Sequence, residues 1–292
     1  MRIFDSVPYS KLMMQDFSES KTLNDALSMM ETKGIQHQWY CHYTSLDKLQ
    51  KMLSSKTMYL TRCSSLRFDD AIEGKKYGTL DESRRRYIGC FSIGKPEIAA
   101  MWGLYCPPTY KAIRLVFGKK IMQEWAKRIE TMKIFDNKVG PIDLDTSEAF
   151  FSDLVYASVS GDDENRNRAN TISWEGQFSK AIEDLEKQRR DVGATGRVKD
   201  YEWRFEREMR LIVVREYEDA GERIAVRLPE NVLKGMKFTL SPWADDDEKR
   251  FVREKVTALL KNALGTNTID PQFEESVLSN GLVKWAESRG VS

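Results

Sequence analysis

Along residues 203–214 apolar and charged side chains trade places with a period of two. Trp203, Phe205, Met209, Leu211 and Val213 fall on one side of an extended chain, and Arg204, Glu206, Glu208 and Arg210 fall on the other. Arg207 is the single break on the apolar side. A helix would put Trp203, Arg207, Arg210 and Val214 on one face, which is poorer, so the pattern predicts a strand. One face of that strand is core and the other is a ladder of charge.

The same reading applied to the rest of the chain predicts short strands interspersed with helices. Residues 39–46 form an aromatic strand that hands over to a helix, with Thr44 or Ser45 as N-cap and Leu46, Leu49 and Leu53 as its buried stripe. Residues 57–62 are a strand leaving into a polar loop, 89–92 a buried strand, 100–105 an aromatic helix start or turn, and 112–117 an apolar strand. Gly118 turns the chain into a helix over 119–132 with Ile121, Met122, Trp125 and Ile129 inward. Further on come a strand at 151–159, a helix at 175–190, a link at 191–197, strands at 224–228 and 237–240, a helix at 246–264 and a strand-like segment at 275–278. Residues 1–38 read as a helical preface, since Leu23, Ala26, Leu27 and Met30 repeat at helical spacing, and 39–292 as one domain. There is no regular βαβ alternation and no glycine-rich phosphate loop after a strand, which predicts an α+β fold over a doubly wound sheet.

Composition narrows the picture. The 292 residues are 41% hydrophobic with seven Trp and thirteen Phe, enough for a substantial core. Charged residues make up 31% but cancel to a net +1, so bulk charge announces no nucleic-acid binder and any basic surface is local. Lys119, Lys120, Lys127, Arg128 and Lys133 form such a local face, either phosphate-contacting or merely solvated. The four cysteines have no metal spacing and read as free thiols of a reducing compartment. No window of eighteen apolar residues occurs, so the expectation is a soluble, cytoplasmic protein without a membrane partner.

Chemistry enters through a few positions. Glu206 and Glu208 stand two apart on one strand face between arginines, as paired carboxylates do where a positively charged sugar centre must be stabilised; the alternative is a solvated face of surface ion pairs. His42 sits where strand hands over to helix, and His37 is the other histidine of the chain, too few for a histidine-built metal site. Asp69, Asp70 and Glu73 match no calcium loop and are expected to cap the next helix.

Taken in order, His42-Tyr43-Thr44, Phe68-Asp69-Asp70-x-x-Glu73, Cys90-Phe91-Ser92, Met101-Trp102 and Lys199-x-x-x-Trp203-x-x-Glu206-x-Glu208-x-Arg210 resemble a bacterial family long known only as a domain of unknown function. That family is similar to ADP-ribosyltransferases, among them DNA-modifying toxins and phage-defence enzymes, and the resemblance spans about residues 39–280. It implies a mixed β core with flanking helices and NAD as a consumed substrate, with no metal. By the same resemblance His42 of the His-Tyr-Thr motif hydrogen-bonds the adenosine ribose, Glu208 is the catalytic glutamate at the nicotinamide ribose, and Glu206 orients the acceptor. Tyr43, Tyr59 or Trp102 stacks on the nicotinamide, Ser92 stands in the middle motif, and Arg62 meets the pyrophosphate or assists transfer. The basic face at Lys119, Lys120, Lys127 and Arg128, with Arg62, Arg204 and Arg210 near the two glutamates, favours nucleic acid, RNA or DNA, over protein as the acceptor, and the resemblance implies a toxin or antiviral-defence setting with an antitoxin protein as partner. An NAD glycohydrolase using water, and a non-catalytic nucleotide-binding module, are the competing readings.

Overall fold

The computed structural model describes residues 35–65, 80–135, 138–141, 147–157, 196–215 and 221–279. Within them the elements run β1 (Trp39–Ser45), α1 (Leu46–Ser55), β2 (Thr57–Arg62), α2 (Leu80–Arg85), β3 (Arg86–Ile93), α3 (Ala99–Tyr105), β4 (Ala112–Gly118), α4 (Lys119–Ala126), β5 (Thr131–Phe135), β6 (Lys138–Pro141), β7 (Ser147–Asp153), β8 (Val155–Ala157), β9 (Val198–Asp200), β10 (Glu208–Arg215), β11 (Arg223–Arg227), α5 (Glu230–Gly235), β12 (Lys237–Leu240), α6 (Asp246–Leu264) and β13 (Gln272–Glu274). Eleven strands form one mixed sheet in which β12 and β13 are parallel and the other pairs antiparallel, and β8 and β9 make a small parallel pair. This is a mixed α/β architecture with six helices among the described residues.

Where the chain carries strong local signals, its elements follow them. Ser45 caps α1 by accepting from the Lys48 amide, and Leu46, Leu49, Met52 and Leu53 make its buried face. Asp245 and Glu248 form a reciprocal capping box at the start of α6, and Gly265 ends it at φ +63°. Strand alternation then sorts the core into layers. Tyr40, Phe91, Leu115, Phe117, Met209 and Leu211 pack with the inner residues of α1, α4, α5 and α6 on one side of the sheet. Cys41, Tyr43 and Val116 pack with Met101 and Trp102 of α3 on the other.

The feature that positions the site is a fork at β3. Along one edge β3 pairs with β10 from Arg86 to Ser92. Along the other it pairs with β2 at Tyr87 and Ile88 and with β1 at Ser92 and Ile93. The two partners diverge from the intervening stretch, and no strand of the described residues pairs with Gly89, Cys90 and Phe91 on that edge. At Gly89, beside the gap, the Leu60 side chain of β2 packs close over the backbone, and a Cβ there would stand 2.5 Å from its Cδ2.

Several sequence expectations need correction. The stretch 203–214 is not one strand: residues Tyr201–Glu206 form a 3₁₀ segment, Arg207 adopts φ +47°, and β10 begins at Glu208. Arg207 is the one break in the alternation, and the left-handed turn there leaves Phe205 exposed instead of in the core. Most of the charged face is not solvated either, since Glu206, Glu208 and Arg210 are buried and Arg204 alone of the four is exposed. The helix from Lys119 stops at Ala126, because residues 131–135 are taken up as a strand by β11. The 151–159 strand is β7 with β8 after it, and the terminal strand is Gln272–Glu274 instead of 275–278. The loop acids Asp69, Asp70 and Glu73, the helix at 175–190 and the preface up to residue 34 lie outside the described residues.

Candidate active site

A narrow cleft of about 60 Å³ opens at the fork, lined by Cys41, His42 and Tyr43 of β1, Cys90, Phe91 and Ser92 of β3, Met101 and Tyr105 of α3, and the two carboxylates Glu206 and Glu208. Three consecutive residues from each of two strands line it because the strands part there. Its walls are therefore backbone-anchored, which is the rigidity a reactive site needs.

His42 bridges the gap. Its Nδ1 lies 2.9 Å from the Cys90 carbonyl, the group that a strand partner would otherwise satisfy. A carbonyl can only accept, so Nδ1 carries the proton and Nε2 is left as the acceptor of the neutral ring. Burial pushes the His42 pKa below its ordinary value, against the opposing pull of the Cys90 carbonyl, so the ring is neutral near pH 7. Its tilted contact with Phe91, 5.8 Å between centroids, fixes the ring plane.

On the opposite wall Glu208 is clasped by Arg210. Nε and Nη2 of Arg210 reach its two oxygens at 2.6 and 3.1 Å, and Nη1 donates to the Gly196 carbonyl at 2.9 Å. Both residues are on β10, two apart, and point the same way. Burial by itself would raise the Glu208 carboxyl, but the Arg210 charge and then Lys199 outweigh it, and the group is held down to about 2. Glu206 ends the 3₁₀ segment. Its carbonyl accepts from Ser92 Oγ at 2.9 Å, while its carboxylate accepts from Lys199 Nζ at 2.5 Å and from the Tyr105 hydroxyl. Lys199 also lies 3.5 Å from Glu208, so one ammonium bridges the pair. Burial, then the neighbouring Glu208 charge, push the Glu206 carboxyl up; Lys199 and Tyr105 pull it back. The two carboxylates thus sit side by side with unlike proton affinities, the arrangement by which one site holds both a permanent anion and a proton-exchanging group.

Of the residues singled out from sequence, the cleft brings together His42, Tyr43, Ser92, Glu206 and Glu208. It does not include the others. Trp102 is fully buried, edge-on between Tyr43 and Trp243 with its Nε1 on Glu97, and no ring of a ligand can stack on it there. Thr44 is buried with its carbonyl accepting from Cys106 Sγ. Arg62 reaches the Tyr87 hydroxyl with Nε and Nη2, both at 3.2 Å, and with Tyr59 it belongs to β2, outside the cleft lining. Sequence reasoning assigns no role to Tyr105, Lys199 or Cys90, and it leaves Arg210 as a flanking arginine of the motif. The spacing Lys199 to Glu206 is visible in that motif, but nothing local links Tyr105 to a carboxylate 101 positions away. The basic residues Lys120, Lys127 and Arg128 are exposed or half-exposed, and α4, which carries the first and precedes the other two, packs on the sheet face opposite α3. Among the described residues no group of three or more His, Cys, Asp or Glu is placed to hold a metal ion, and no helix is long and apolar enough to cross a membrane.

No family model matches the sequence, and neither does any curated protein. Among solved structures the chain is similar to DarT of Thermus sp. 2.9 in three complexes. With carba-NAD+ the identity is 11% and the TM-score 0.31, covering 82% of this chain and 95% of that chain. With NAD+ the values are 11%, 0.34, 82% and 96%, and with ADP-ribosylated ssDNA 12%, 0.32, 81% and 92%. At TM-scores this low the chemistry of the cleft rests on its own residues.

Proposed function

We propose that this chain is an ADP-ribosyltransferase that consumes NAD in the forked cleft and passes ADP-ribose to a nucleic acid, RNA or DNA. The observation that carries the reading is the buried pair Glu206 and Glu208 on one wall with a neutral, backbone-anchored His42 on the other. Breaking the nicotinamide glycosidic bond asks for little acid–base work, because the ring leaves neutral. It asks for a fixed anion beside the positive charge that grows on the ribose. Glu208, kept ionised by Arg210, supplies that anion; His42 Nε2 accepts from a ribose hydroxyl, and Glu206 meets the acceptor.

For the acceptor, the support lies beside Glu206. Phe205 is exposed and offset from Trp203 at 5.9 Å and 33°, with Arg204 exposed between them. An aromatic plate next to a cation is what an unpaired base and its phosphate meet on single-stranded nucleic-acid binders. Incubation with labelled NAD and separate pools of RNA, DNA and protein tests the reading. Label on nucleic acid, lost in Glu208→Gln by ~10²–10³ in rate, is expected. Label on protein alone refutes the acceptor, and nicotinamide release equal to wild type in Glu208→Gln refutes the mechanism.

A further inference from the structure

We propose that Lys199 and Tyr105 are positioning residues that keep Glu206 ionised and aimed, so that Glu206 is the group that takes the proton from the incoming acceptor. The inference rests on the transferase reading above. In that reaction the bond from C1′ to the nicotinamide nitrogen breaks and the ring leaves with the electron pair. A bond then forms from the acceptor atom to C1′, and the acceptor's proton goes to the Glu206 carboxylate and on to water.

Glu206 could not do this unaided. It is about 1% exposed and stands beside a second carboxylate. Burial and like charge both favour its protonated, useless form. Arg210 does not answer the problem, since its Nε and Nη2 are committed to Glu208 and its Nη1 to the Gly196 carbonyl. Lys199 does. It is itself only about 6% exposed, with its ammonium 2.5 Å from Glu206, 3.5 Å from Glu208 and 4.8 Å from the centre of the Trp203 ring, which holds its direction. Tyr105 donates its hydroxyl to the other Glu206 oxygen from α3, across the cleft. Among the described residues the cluster sets two carboxylates against two cations, and the other groups facing it are Cys90, from β3, and His42, neutral by burial, from β1.

The test reads the protonation of Glu206 directly, by carbon-detected NMR titration of protein labelled in its glutamate carboxyls, and then the pH profile of transfer. Removing a neighbouring cation raises a carboxyl pKa, so in Lys199→Met both the Glu206 titration and the acid limb of the profile should move to higher pH. Tyr105→Phe should move them the same way by less, and Lys199→Arg should return them toward wild type. If Lys199→Met fails to fold, Tyr105→Phe decides, because Tyr105 is about 40% exposed and its ring is kept. A Glu206 titration unmoved in the folded variants overturns the inference. If wild type turns over NAD but the acid limb stays in place, this inference alone fails. If the titration moves but wild type releases no nicotinamide, the transferase reading fails and takes the proton-acceptor role with it.

Discussion

Replacing Glu208 by glutamine removes one negative charge from a place where two cations are aimed at it, and its cost can be worked out. In the folded chain the Glu208 carboxyl lies near 2 instead of 4.5. Each pH unit between those two values corresponds to about 1.36 kcal/mol, so ionised Glu208 contributes about 3 kcal/mol at pH 7, within the ~3–5 kcal/mol range found when a buried pair loses one member. The sign follows from a depressed pKa. The contribution is complete above 4.5 and fades as pH falls through 2, with about half or more gone near pH 3. Glu206 works the other way, since its raised pKa makes its own ionisation a cost at neutral pH. In Glu208→Gln that cost also shrinks because the like charge is gone, so the measured penalty should come in at or slightly under about 3 kcal/mol. Urea denaturation of both proteins at pH 7 and pH 3 checks this. A midpoint gap at pH 7 that narrows at pH 3 is expected. A gap that is absent at pH 7, or unchanged on acidification, refutes the electrostatic account of the pair.

Three further outcomes follow. His42→Ala should weaken NAD binding by ~1–3 kcal/mol in calorimetry, and nitrogen NMR of the wild type should show the proton on Nδ1; a ring protonated on Nε2 would contradict the Cys90 contact. Gly89→Ala should cost ~1–3 kcal/mol of stability in thermal melts, because its Cβ meets Leu60 at 2.5 Å; adding Leu60→Ala should recover none of the core energy but remove the strain, making the pair less than additive. Neutralising Lys120, Lys127 and Arg128 together should leave the labelling of nucleic acid within about two-fold of wild type, since α4 packs against the sheet face opposite α3; a larger loss of label with nicotinamide release and the melt unchanged would place the acceptor on that face.

How far the sequence can be read depends on whether each signal is local. Residues 237–240 and 246–264 are bounded correctly from sequence because alternation, a capping box and a terminal glycine act within a few positions. The helix expected from Lys119 is too long because Ile129 suits both a helix stripe and a partly buried connection, and only pairing with β11, almost a hundred residues on, decides between them. Glu206, Glu208 and His42 stand out as residue types in a pattern. Their environment does not. A charged strand face looks solvated when nothing reveals that Lys199, Gly196 and Tyr105 close over it from other elements. The left-handed Arg207 is present in the pattern as an anomaly, and its meaning, a break between two elements, needs the backbone.

The fork at β3 ties the working parts of the chain to contacts of long sequence separation. Two of its partner strands precede it and the third follows more than a hundred residues on, so the cleft exists only once separations of very different length have all closed. A fragment without β1, or without Glu206 and Glu208 around the start of β10, lacks one wall of the cleft. Heat inactivation should therefore coincide with the loss of β-sheet signal, temperature for temperature, and a chain cut between β3 and β10 should regain turnover only when its two parts reassociate.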